Sequence, residues 1–166
     1  MARTFARFSS ALTVGIFLAT VFSNPAAWAQ TQPHAAVCPG AAEAEQNRQV
    51  VLAFQEQFFN QHDLHAADRY IVENYVQHNP TVPDGRKALV DTFGPVFEKN
   101  PQAHSQIIRS AVDCDLVYVH VHSTLNPADR GRAIVNIYRV NDGKIIEHWD
   151  VIQPVPEQSA NGNTMF

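Results

Sequence analysis

The sequence predicts an α+β domain: helices first, then a curved, mainly antiparallel sheet wrapped over them. Two observations carry this prediction. Apolar side chains recur at helical spacing between residues 43 and 99, whereas from residue 103 onward β-forming residues run in segments joined by short polar links. Four strands in a row on such links make an antiparallel sheet that can bury one face against the helices.

The chain opens on Arg3 and Arg7, then an uncharged apolar run from Ala11 to Phe22, then Ala27-Trp28-Ala29. That is the charged, apolar and small-x-small order of a secretory signal peptide, so cleavage is expected near Ala29. The apolar run is about 12 residues, short of the roughly 20 that a spanning helix needs. Arg3 and Arg7 are not adjacent, which argues against a twin-arginine signal. The expected address is secreted or periplasmic, with no membrane attachment after cleavage. Residues 30–42 then read as an extended arm and residues 43–166 as one domain. A formal net charge of −4 without a basic cluster argues against nucleic acid as a partner.

Both cysteines, Cys38 and Cys114, survive that cleavage. An even pair in an oxidising compartment predicts a disulfide that pins the arm to the turn at Asp113-Cys114-Asp115. Two unpaired small residues are the competing reading.

Within the domain, Val50, Val51, Phe54 and Phe58 mark an amphipathic helix over residues 43–60, with an aromatic stripe that belongs to the core. Asp63 is placed to cap a short second helix toward Tyr70, His62 and His65 are expected in solvent, and Val72 to Val76 reads as a further helical turn. Tyr75 to Pro80 leaves that turn, and a loop there can aim His78 into a cavity. Leu89, Phe93 and Phe97 define another helix over residues 85–99, where Gly94-Pro95 predicts a break or kink. Strands follow at residues 106–112 and 116–124.

The last two strands flank Asn141-Asp142-Gly143, a strong hairpin signal. With Gly143 in a three-residue loop, Val140 pairs with Lys144, Asn136 with His148 and Ile134 with Asp150. One face then carries Ile134, Asn136, Tyr138, Ile146, His148 and Asp150, and the other Val135, Ile137, Arg139, Ile145, Glu147, Trp149 and Val151. Partial burial between Trp149 and Val151 would raise the pKa of Asp150 and make it a usable base; a hydrogen-bonded structural carboxylate is the bland alternative. His120-x-His122 places two imidazoles on one strand face, a weak metal signal outweighed by partly exposed strand histidines. No phosphate-binding Gly-rich loop, G-x-S-x-G elbow or HExxH occurs.

YVQHNP at Tyr75 to Pro80, PDGRKAL at Pro83 to Leu89 and NIYRVNDGKIIEHWDVIQ at Asn136 to Gln153 resemble the SnoaL-like polyketide cyclase family, within the nuclear transport factor two-like superfamily of conical α+β barrels. The likeness spans about residues 43–166. It implies that Asp150 is the acid/base of a cofactor-free aldol condensation, supported by His148, His78 and Asn136. Position 136 holds Asn where an acid is expected, and Asn cannot serve as a base. Tyr138, Tyr75, His120, Phe54 and Phe93 complete the expected pocket for a small hydrophobic molecule. Two readings follow: an exported proton-transfer enzyme of aldol or isomerase type, or an exported binder using the same pocket. The apolar second hairpin face, with Trp149, Ile145 and Val151, predicts a homodimer.

Overall fold

The computed structural model describes Cys38 and residues 40–166; the expected signal peptide and most of the arm lie outside the described residues. Among the described residues no helix is long and apolar enough to cross a membrane. Helix α1 runs Ala41–Phe54 and widens into a π-helical turn over Gln55–Asn60, followed by α2 (Ala66–Tyr70), β1 (Ile71–Gln77), α3 (Arg86–Lys99), β2 (His104–Asp113), β3 (Leu116–Thr124), β4 (Arg132–Asn141) and β5 (Lys144–Pro154). The first helix therefore starts at Ala41, two residues before the start expected from its apolar spacing.

The five strands lie in the order β1-β5-β4-β3-β2, with β1 parallel to β5 and the other pairs antiparallel. The sheet is open, and α1 and α3 cover one face of it without filling the space between. Val51, Phe54 and Phe58 from the first helical segment, Leu89 and Phe97 from α3, and Val117, Val119 and Val121 from β3 form the core. Phe58 meets Phe59, Phe93 and Phe97 edge-on with ring centroids 5.0 to 5.8 Å apart, the arrangement that aromatic quadrupoles favour.

Three expectations need correction here. Val72 to Val76 is not a helical turn but lies inside β1, where its β-branched residues suit the pleat and where Val76 pairs with Glu147 of β5. Helix α3 carries through Gly94-Pro95 without a break: one lost hydrogen bond is tolerated where Leu89 and Phe97 bury the helix on both sides of it. His62 is not solvated, because its ring stacks on Phe97 at 4.4 Å and its Nε2 lies 3.1 Å from the Ala103 carbonyl.

The hairpin register also differs. Asp142 and Gly143 both have positive φ, so the turn has two residues and pairs Asn141 with Lys144 and Val140 with Ile145. A bulge at Ile146 adds one residue on β5, after which Tyr138 faces His148 and Asn136 faces Asp150. The net shift is two residues, so Ile134, Asn136, Tyr138, His148 and Asp150 remain together on the cavity face, whereas Ile146, expected with them, is the bulged residue and does not line the cavity. Ile145, by contrast, turns into the core and is fully buried, which removes it from the outer face.

Cys38 and Cys114 are bonded, with Cα atoms 4.0 Å apart. The bond ties the segment before α1 to the β2–β3 turn across a separation of 76 residues.

Candidate active site

Between the sheet and the helices lies a cavity of about 730 Å³, within the range of small-molecule sites. Phe54, Phe59 and Phe93 give it an aromatic wall, and β4 and β5 supply its floor. The floor is graded from a closed end to an open one. Tyr138 and His148 are buried at the inner end, Asn136 and Asp150 come next, and Ile152, 40 % exposed, reaches the rim. Strand alternation makes this row, since these positions are two apart on paired strands.

Asp150 carries the negative charge of this floor. Its Oδ2 accepts a hydrogen bond from Asn79 Nδ2 at 2.7 Å, and its Oδ1 has no hydrogen-bond partner among the described residues. Asn79 is itself fixed, because its backbone N–H donates to Gln77 Oε1 and its Oδ1 accepts from the backbone N–H and the hydroxyl of Thr81. One carboxylate oxygen is thus anchored while the other remains available to a ligand.

His148 is held from both sides. Nδ1 lies 2.9 Å from Gln77 Oε1 and Nε2 lies 3.0 Å from Asn136 Oδ1. Burial, with a further contribution from the His78 ring, pushes its pKa down to about 3, so the ring is neutral at ordinary pH. A neutral imidazole carries one N–H and one lone pair, which makes His148 a fixed dipole beside the carboxylate and a poor proton acceptor. Tyr138 packs against the ring at 4.6 Å. Burial raises the pKa values of the Tyr75 and Tyr138 phenols, and the Asp150 charge pushes in the same direction, so both stay protonated.

The structure therefore brings together Asp150, His148, Asn136, Tyr138, Tyr75, Phe54 and Phe93 around one hollow. It does not bring His78 or His120 there. His78 follows β1 and turns away from the cavity: its Nε2 meets Glu147 Oε1 at 2.8 Å and its ring stacks on Trp149 at 4.6 Å. His120 alternates with the buried Val119 and Val121, so it faces the far side of the sheet, where Phe166 stacks on it and on His122. His122 Nε2 also contacts the Arg130 carbonyl, and among the described residues no group of three or more metal-ligating side chains forms.

Gln77, Asn79 and Gln55 were missed. Reading β1 as a strand supplies the signal for two of them, since Gln77 and Asn79 share the face of Tyr75 at period two while His78 takes the other. Gln55 stands four residues after Val51 and three before Phe58, on the inward stripe of the helix, and its polar side chain hid it there.

On the opposite face of the hairpin lies a different cluster. Arg139 Nε donates to Glu147 Oε2 at 3.0 Å and Nη1 to Asp115 Oδ2 at 2.8 Å, with all three side chains buried. The guanidinium also lies over the Trp149 ring at 5.7 Å.

The sequence matches the SnoaL-like domain over residues 51–148, more than half of the chain. The chain belongs to the SnoaL-like family. Solved structures agree on the SnoaL-like fold. Bal32a from a soil-derived mobile gene cassette is 19% identical with a TM-score of 0.58, over 66% of this chain and 91% of that one. An NTF2-like protein of unknown function from Mesorhizobium loti is 23% identical with a TM-score of 0.57, over 70% and 98%. A provisionally named polyketide cyclase from Bacillus cereus is 23% identical with a TM-score of 0.57, over 67% and 76%. No curated protein matches the sequence.

Proposed function

We propose that this SnoaL-like chain is an exported acid/base enzyme that needs no cofactor and moves a proton on the carbon beside a carbonyl group of a small hydrophobic molecule. The observation that carries the reading is the setting of Asp150. It lines an otherwise largely apolar cavity, with one oxygen tied to Asn79 and the other unbonded. Its unbonded oxygen takes the α-proton, and the resulting enolate oxygen is held by the side-chain amide N–H of Asn136, which faces Asp150 across the two strands. Attack of the enolate on a second carbonyl of the same molecule gives an aldol cyclisation, and return of the proton elsewhere gives an isomerisation. The family likeness supports Asp150 in this role, and the charged, apolar and small-residue order of residues 1–29 supports export.

Exchange of the α-protons of 2-tetralone in D2O, followed by NMR, tests the reading. The protein should accelerate exchange, and Asp150→Asn should lose at least about 100-fold of that acceleration with its folding intact. No acceleration by the wild type, with equal binding of 2-tetralone to both forms, leaves the second reading: a carrier of small hydrophobic molecules. The engagement of both His148 ring nitrogens, with Gln77 Oε1 and Asn136 Oδ1, favours that alternative, because it leaves Asp150 without an acid/base partner in the cavity.

The outer sheet face supports a homodimer. Val135 and Val151 pair across β4 and β5, and Val151 is 68 % exposed, which is costly for an apolar strand residue left in water. Light scattering at micromolar concentration should give twice the chain mass.

A further inference from the structure

The closed end of the cavity contains an atom that the acid/base reading does not use. Gln55 is 1 % exposed and lines the cavity, yet its Oε1 has no hydrogen-bond partner among the described residues. Leaving a buried amide oxygen unpaired forfeits its hydration without return, so such an atom calls for a reason. Its other amide atom is engaged: Nε2 donates to the Tyr138 hydroxyl at 2.5 Å. That hydroxyl accepts from Gln55, and its own proton meets no acceptor among the described residues. The pair therefore presents one free acceptor and one free donor, side by side, at the inner end of a largely apolar hollow. The site falls where the first helix widens into its π-helical turn, a feature that often accompanies functional sites.

We infer that Gln55 and Tyr138 form a second recognition point that takes a hydroxyl group of the ligand. A hydroxyl is the group that satisfies both atoms at once, donating to Gln55 Oε1 and accepting from Tyr138. A carbonyl can only accept, and would leave Oε1 unpaired. Tyr138 lies one cross-strand step deeper than the Asn136 and Asp150 pair, a spacing of about 7 Å along the strand. The ligand class is then a ring ketone with a hydroxyl on the far side of its ring system from the acidic carbon. This deepens the acid/base reading and rests on it only for the ketone; the hydroxyl follows from Gln55 and Tyr138 alone. Entry is hydroxyl first, since the rim lies at the Ile152 end.

Binding of 2-tetralone and 6-hydroxy-2-tetralone, measured by calorimetry, provides the test. The added hydroxyl should tighten binding at least ten-fold in the wild type and equally in Asp150→Asn, where the proposed base is absent. Gln55→Leu keeps a side chain of similar size and should erase the preference, leaving the two ketones within two-fold of each other. Should Gln55→Leu fail to fold, Tyr138→Phe serves instead and should cut the preference to less than three-fold. Equal affinity for the two ketones in the wild type overturns the inference, as does a preference that survives the substitution. Loss of proton exchange in every form, with the binding preference retained, would sink the acid/base reading and leave this one standing.

Discussion

The two faces of the β4–β5 hairpin solve the problem of buried polarity in opposite ways. On the outer face Arg139, Asp115 and Glu147 are buried together, and burial works against the guanidinium charge while the two carboxylates outweigh it, raising its pKa. On the cavity face Asp150 meets a single amide donor, and its neighbours are neutral: an imidazole, amides and phenols. Adjacent residues such as Glu147 and His148 thus belong to separate economies of charge. Where every charge has a charged partner the cluster is structural. A charge left with one neutral partner in a hollow is free to meet a ligand.

Removing one charge from each face gives the largest contrast. Arg139→Leu leaves two carboxylates buried without their cation, and loss of one member of such a group costs about 3–5 kcal/mol. Urea unfolding should show that loss. Asp150→Asn, partly exposed and facing a cavity, should stay within about 1 kcal/mol of the wild type while abolishing proton exchange. Similar stability losses for both would break the distinction between the faces.

The next effect comes from the disulfide. Cys114 precedes Asp115, so the bond to Cys38 steadies the turn that supplies a carboxylate to Arg139. Cys38→Ser should cost about 2–4 kcal/mol by freeing the unfolded chain. Ligand affinity should change less than two-fold, because the bond is remote from the floor residues. A large loss of affinity would show that the two faces are coupled.

Smaller for each pH unit is the effect of pH on the cavity face. Folded, His148 titrates at about 3; unfolded, near the ordinary 6.5. Between those values the unfolded chain binds a proton that the folded chain refuses, so stability is full above about pH 6.5 and falls as pH drops. The slope approaches about 1.4 kcal/mol per pH unit for one such group. His148→Gln should flatten the stability profile between pH 6 and 4 by close to one proton, read from urea midpoints at each pH. An unchanged slope would mean that His148 is charged when folded.

What was legible in the sequence follows the same divide. Alternation on a hairpin placed Asn136, Tyr138, His148 and Asp150 on one face even though the turn had two residues instead of three, because the bulge at Ile146 restored the parity. The helical stripe and four of the five strands were readable from local periodicity. Strand β1 was not, since it is short, parallel to β5 and made by a long-range pairing that no local pattern announces. Its loss cost the site Gln77 and Asn79 and sent His78 to the wrong face. Gln55 escaped for a different reason: a polar residue on an apolar stripe has no local signature, and only the fold shows which hollow it faces.

The smallest effect on folding is expected at the far end of the outer face, where the buried charges give way to Val135 and Val151. Val151→Glu places a carboxylate on a position that is 68 % exposed in the single chain, so its cost to the folded subunit should stay within about 0.5 kcal/mol. In a dimer built on this face two such carboxylates meet near the symmetry axis, because a two-fold contact apposes like with like. Light scattering should then show the mass fall from two chains to one at micromolar concentration, with tetralone affinity retained. A wild type that is already monomeric removes this contact from the outer face and leaves its polarity explained by the Arg139 cluster alone. A variant that stays dimeric moves the contact to another surface. Either outcome sharpens the division between a face that holds the subunit together and a face that handles the ligand.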